Sequence, residues 1–204
     1  MIFPASIEEE DDSDSGRDDM RAIRFGMLAA AALMCAAVGV AAEKIPAVGD
    51  EAKDFELPSV DGRPVKLSKL VEGGPVVLIV LRGHPGYQCP FCNEQAADFL
   101  NRADKFKEKK ARVVFVYPGP ADNVKKYAEE FLAERKLPEG YFLVTDSDFK
   151  FTNDYGLRWK EPKETAYPST FVIGTDRKVK YVHTSKKHDG RAKSDDVLKA
   201  LEGK

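Results

Sequence analysis

The 204-residue chain, 43% hydrophobic, holds enough apolar material for one ordinary buried core and requires no second domain. Its net charge of -2 becomes about +3 once residues 1–42 are set aside, with 26 acidic against 29 basic side chains left. No basic stripe stands out in either count, which argues against nucleic acid as a partner.

Residues 1–19 carry eight acids against one base, Arg17, with few apolar residues to pack, and the stretch reads as a disordered acidic leader. Met20-Arg-Ala-Ile-Arg24 then precedes eighteen uncharged residues ending at Ala42. A basic start, an apolar middle and small residues at Val40 and Ala42 predict a signal peptide over 20–42, cut after Ala42. Met20 offers a second start position, in which case residues 1–19 are not translated. The competing reading is a membrane anchor formed by an uncleaved 25–42 segment, although alanine-rich and near the minimum length for a span. Cleavage would place a 43–204 domain in a secreted or periplasmic setting, without stable membrane insertion. Cys35 would leave with the signal, so Cys89 and Cys92 would be the only cysteines of the mature protein, where disulfides can persist.

Phe55-Glu-Leu57 and Pro64-Val-Lys-Leu67 flank the turn signal Asp61-Gly62 and predict an N-terminal hairpin. Val76 to Leu81, entered through Gly73-Gly74-Pro75, is a continuous apolar run expected of a strand buried on both faces. The stretch LRGHPGYQCPFC follows, and from Pro90 to about Lys109 the residues Phe91, Ala96, Phe99, Leu100, Ala103 and Phe106 recur at helical spacing. Arg112 to Tyr117 predicts a second buried strand, ended by Pro118-Gly119-Pro120. Val124, Tyr127, Ala128, Phe131 and Leu132 give an amphipathic helix. A strand over Tyr141–Thr145 and a short helix over Asp148–Tyr155 come next. Thr170–Ile173 and Val179–Thr184 then pair across a turn, and a final helix starts with Ser194 as its cap. Alternating strands and helices, closed by a hairpin and a last helix, predict an α/β protein: a central mixed sheet with helices on both faces.

Cys89 and Cys92 therefore fall where a strand turns into a helix. Residues three apart share a helix face, so the two sulfurs can bond without moving the backbone. At the helix N-terminus Cys89 is favoured as a thiolate, with Arg82 and His84 as candidate sources of further positive potential, while Cys92 is expected to be less exposed and higher in pKa. This assigns attack to Cys89 and resolution to Cys92. A zinc site would need two more ligands from His84, His183 and His188. A purely structural disulfide over so short a loop would constrain the unfolded chain little.

A buried strand, a Cys-x-x-Cys opening a helix, and Tyr167-Pro168 ahead of the next-to-last strand together resemble the thioredoxin superfamily. Within it, Val48 to Pro58, the Asp61-Gly62 turn and the Lys66–Leu70 segment resemble the alkyl hydroperoxide reductase and thiol-specific antioxidant (AhpC/TSA, peroxiredoxin-like) group. The likeness runs from about Val48 to Leu201. It implies a thioredoxin-like fold with an N-terminal β-hairpin extension, Pro168 in the cis form against the Cys89–Cys92 pair, and familiar positions for Ser169-Thr170-Phe171 and Gly190-Arg191. Peroxiredoxins carry a threonine three residues and a proline seven residues before the peroxidatic cysteine, where this chain has Gly86 and Arg82. Their arginine ahead of the Ser-Thr-Phe strand is replaced by Pro168, which leaves Arg158, Arg191 or Arg82 as a substitute cation.

The catalytic set implied is Cys89, Cys92 and Pro168, with Arg82, His84, Tyr167 and Arg191 as candidates for tuning or substrate contact. The leading expectation is thiol–disulfide exchange through the dithiol. The alternatives are hydroperoxide reduction, with Cys89 peroxidatic and Cys92 resolving, and a non-catalytic thioredoxin-fold binding module. The expected partners are a thiol or disulfide protein or a small hydroperoxide, with an external thioredoxin-like reductant. No cofactor or metal is called for beyond the Cys89–Cys92 disulfide itself.

Overall fold

The computed structural model describes residues 44–133 and 135–203, so the acidic leader and the 20–42 segment lie outside the described residues. An antiparallel hairpin of β1 (Glu56–Pro58) and β2 (Pro64–Lys66) comes first, turning at Asp61-Gly62 as the sequence predicts. The Asp61 carboxylate braces this turn by accepting from the Arg63 guanidinium at 2.7 Å. A single turn, α1 (Leu67–Leu70), leads into the central sheet.

That sheet consists of β3 (Val76–Val80), β4 (Arg112–Gly119), β5 (Tyr141–Ser147), β6 (Ser169–Ile173) and β7 (Val179–Thr184), in the order β5-β4-β3-β6-β7. β3 pairs in parallel with β4 and antiparallel with β6, which makes the sheet mixed. The β-branched run of β3 is buried at every position, as expected of the middle strand of a sheet covered on both faces.

Side-chain alternation divides the core in two. Val77, Ile79, Val113, Phe115 and Tyr117 face one side with α2 (Pro90–Leu100), α4 (Val124–Leu132) and α6 (Ser194–Leu201). Val76, Leu78, Val80, Val114 and Val116 face the other side, against α5 (Lys150–Asp154) and residues that flank the hairpin. Phe55, Phe151, Tyr155 and Phe171 form an aromatic stack there, with successive centroids 5.2, 4.2 and 5.9 Å apart.

Several boundaries differ from the sequence reading. The helix expected over 90–109 breaks at Asn101-Arg102, where Arg102 leaves helical geometry and its guanidinium reaches Asp98 and Asp195, and it resumes as α3 (Ala103–Glu108). β4 runs through Pro118 to Gly119 because that end of the strand still pairs with β5. α5 starts at Lys150, and the buried Asp146 carboxylate accepts from the Phe151 and Thr152 amides at 2.8 and 2.9 Å. Ser194 is not the cap of α6: Lys193 is, and the Ser194 amide donates to Asp98 on α2 at 2.8 Å.

Candidate active site

Beyond β3 the chain must turn sharply beside the end of β4. Gly83 makes this possible: at φ +75° its α-carbon passes so near the Pro118 carbonyl that a β-carbon would lie 2.2 Å from the oxygen. Gly86, where the family resemblance expects a threonine, has φ +118°, a conformation strained for a threonine. The loop ends at Cys89, the N-cap of α2, with Pro90 in the first turn.

Cys89 and Cys92 are both thiols and both only 1% exposed. The expected difference in exposure is therefore absent, and the Arg191 guanidinium lies against both sulfurs. The asymmetry lies in the hydrogen bonds. The Cys89 thiol is pulled down to about 5, mainly by hydrogen bonding from the Cys92 side chain, against burial, with the Cys92 amide and the Arg191 charge assisting. Cys92 is pushed up by the same contact and by burial. Cys89 is thus the thiolate and Cys92 the proton-bearing neighbour, in line with the helix N-terminus.

The cation at the sulfurs is Arg191. Its Nη2 donates to Cys89 Sγ at 3.5 Å and to Cys92 Sγ at 3.6 Å, across 102 and 99 residues of sequence. Arg82 does not supply the charge anticipated for it. Its guanidinium pairs with Glu164 at 2.7 Å and donates to the Tyr87 hydroxyl at 2.7 Å, while its backbone amide donates to Cys92 Sγ at 3.4 Å. His84 turns away as well, stacking on Tyr127 at 3.7 Å. Tyr167 stacks on Trp159 at 4.9 Å, beside His188. Pro168 is buried immediately before β6, next to the end of β3, and its carbonyl accepts from the Ser185 amide at 2.9 Å. Arg158 is occupied by the Glu164 and Thr165 carbonyls, at 3.1 and 2.5 Å.

Three side chains of the site escaped the sequence reading. Gln95 donates to Thr170 Oγ1 at 3.2 Å and to the Ala192 carbonyl at 3.1 Å, tying α2 to β6 and to the residue after Arg191. Its signal was available: a polar residue three positions beyond Cys92, on the face of Ala96 and Phe99. Tyr117 donates to Gln88 at 2.8 Å, fixing the residue before Cys89, but within a strand it reads simply as core. Glu164 sits in the charged run Lys160-Glu-Pro-Lys-Glu164, where nothing marks the acid that becomes buried. Among the described residues, no group of three or more metal-ligating side chains is assembled.

A dithiol at the start of a helix beside a mixed sheet, with one sulfur ionised, defines a thiol-dependent oxidoreductase of the thioredoxin-like class. Residues 48–182 match the AhpC/TSA family, and the chain belongs to it. A Mycobacterium tuberculosis protein described as a peroxiredoxin is 34% identical over 137 residues, covering 64% of this chain and 80% of that one. A Helicobacter pylori protein described as the peroxiredoxin Bcp is 31% identical over 159 residues, covering 76% and 97%. The crystal structure of peroxidoxin BcpB from Mycobacterium tuberculosis superposes with a TM-score of 0.61 at 31% identity, covering 78% of this chain and 97% of that one.

Proposed function

We propose that the protein reduces hydroperoxides, with Cys89 as the attacking thiolate and Cys92 as the resolving thiol. The observation that carries this reading is a cysteine sulfur, 1% exposed, at the start of a helix and 3.5 Å from a guanidinium that favours its thiolate. In this dithiol state a small hydroperoxide, which needs only a narrow approach, reaches the sulfur more readily than a bulky protein disulfide does. Arg191 Nε is a buried donor with no partner among the described residues, so it is free for a peroxide oxygen while Nη2 holds the sulfurs. A cleft of about 510 Å³ lined by Phe91, Gln95 and Arg191 opens on that side chain.

In the first step Cys89 Sγ attacks the nearer peroxide oxygen. The O–O bond breaks, the leaving oxygen takes a proton to become an alcohol or water, and Cys89 becomes a sulfenic acid. Cys92 then attacks the sulfenic sulfur, releasing water and forming the Cys89–Cys92 disulfide. A dithiol reductant outside this chain, of the thioredoxin-like kind, restores both thiols by exchange and is itself oxidised to a disulfide. The dithiol is then the only redox group required. The signal-like 20–42 segment favours a secreted or periplasmic place of action.

The test is stopped-flow mixing of the reduced protein with hydrogen peroxide. Rates well above that of a free thiol are expected, rising as pH increases through about 5 and level above it, because a lowered thiol pKa keeps the reactive thiolate present down to that pH. Near-background rates, or an inflection near the ordinary thiol value, contradict the proposal. Cys89→Ser should be inactive, and Cys92→Ser should accumulate sulfenic acid.

The second reading, disulfide exchange alone, is favoured by Gly86 and Arg82 standing where peroxiredoxins keep threonine and proline. It expects Cys92→Ser to trap mixed disulfides with protein partners instead.

A further inference from the structure

The redox steps leave one withdrawn acid unused. The Glu164 side chain is 9% exposed, although its neighbours Glu161 and Lys163 face solvent. Its Oε2 accepts from Arg82 Nε at 2.7 Å and its Oε1 from Arg82 Nη2 at 2.8 Å, a two-pronged pairing with a guanidinium that is itself 4% exposed. The same Oε1 faces His188 Nε2 at 2.8 Å. One carboxylate therefore ties together three segments distant in sequence. The Arg82 segment supplies the amide that reaches Cys92 Sγ. The His188 segment carries, three residues later, the Arg191 guanidinium that reaches both sulfurs.

We propose that Glu164 is a positioning residue for the redox step, holding the two sulfur-contacting segments in register around Cys89 and Cys92. This rests on the reading of Cys89 as the attacking thiolate. Burial pushes the Glu164 carboxyl up, and the bonds from Arg82 and His188 outweigh it, so the group is an anion wherever the clamp is closed. The 185–191 loop has anchors of its own: the Asp189 carbonyl accepts from Ser185 Oγ at 2.6 Å, and His183 Nε2 lies 2.7 Å from the Gly190 carbonyl. The first bond shapes the loop internally and the second ties it to β7. The contribution of Glu164 is the link from that loop to Arg82, and hence the placement of Arg191 relative to the sulfurs.

The experiment compares the full chain with Glu164→Gln, Glu164→Asp and His188→Ala, following Cys89 by its ultraviolet thiolate absorbance during a pH titration and by its rate with hydrogen peroxide. Glu164→Gln should raise the Cys89 midpoint by about one pH unit. At neutral pH it should slow the peroxide reaction about ten-fold, because a guanidinium displaced by a fraction of an ångström loses its aim. Glu164→Asp, which keeps the charge, should recover part of both, and His188→Ala should shift the midpoint the same way by less. His188 is 53% exposed, so its variant should fold even if Glu164→Gln does not. An unchanged midpoint in His188→Ala and in whichever Glu164 variants fold overturns the proposal. If the parent protein ignores peroxide while the midpoints move as expected, the hydroperoxide reading fails and the positioning role stands.

Discussion

The two faces of the sheet are built from alternate residues of the same strands and do different work. On one side, Val76, Leu78 and Val80 meet hydrocarbon and the aromatic stack of Phe55, Phe151, Tyr155 and Phe171. On the other, Val77 and Ile79 share their cluster with Cys89 and Cys92, and polar side chains such as Gln95 and Tyr117 pass through it. The first face holds no sulfur, and its buried carboxylate, Asp146, only secures the start of α5, so its contribution to function is rigidity. The second holds two buried sulfurs among polar side chains, most of them fixed by hydrogen bonds, with Arg191 Nε left as an unpaired donor among the described residues.

The sharpest way to break this comparison is to cut one side chain from each face of β3. Leu78 and Ile79 are adjacent and fully buried, and they point in opposite directions. Either residue changed to alanine should cost roughly 2–5 kcal/mol in denaturant unfolding. Only Ile79→Ala should also shift the Cys89 thiolate titration. An equal shift from Leu78→Ala would show that the two faces are not functionally separate.

The next effect concerns the cation. Arg191 is half-buried on a loop, so Arg191→Gln should cost little in unfolding beyond the stability linked to the Cys89 midpoint. It should nevertheless lower the rate with hydrogen peroxide about 100-fold and move the Cys89 midpoint upward, since a fixed positive group beside the reacting sulfur is lost. A rate within about two-fold of the parent would mean that the Cys92 hydrogen bond and the helix end suffice to activate Cys89.

Arg191 also marks how far the sequence could be read. The order of strands and helices, the nearness of Cys89 to Cys92 and the easier ionisation of Cys89 follow from periodicity and spacing, which are local. Arg82, seven residues before Cys89, looks from sequence like the charge that activates it, yet it is claimed by Glu164, 82 residues away. Arg191, 102 residues from Cys89, takes the place instead. Which arginine reaches a sulfur depends on where the loop after β7 lies over α2, and no local pattern encodes that. Exposure failed for the same reason: a helix N-terminus is ordinarily open, and here the sulfur is buried with a side chain from 102 residues away against it. The family resemblance directed attention to Arg191, but the geometry that occupies Arg82 came from long-range packing.

The smallest effect tests the boundary of the polar face. Tyr117 OH donates to Gln88 Oε1 at 2.8 Å, and Gln88 Nε2 donates to the Tyr127 carbonyl at 2.9 Å, so β4 is linked to α4 through the residue that precedes Cys89. Burial raises the Tyr117 pKa more than the Gln88 bond lowers it, so the hydroxyl stays protonated across the working pH range and the link does not titrate. Tyr117→Phe should therefore cost about 1 kcal/mol of stability at every pH, the net worth of one neutral hydrogen bond. It should slow peroxide reduction less than about three-fold, because Gln88 keeps its second bond and Cys89 keeps Arg191. A larger loss, independent of pH, would mean that the backbone before Cys89 is held chiefly by Tyr117, and would extend the working part of the polar face from the sulfur contacts down to β4.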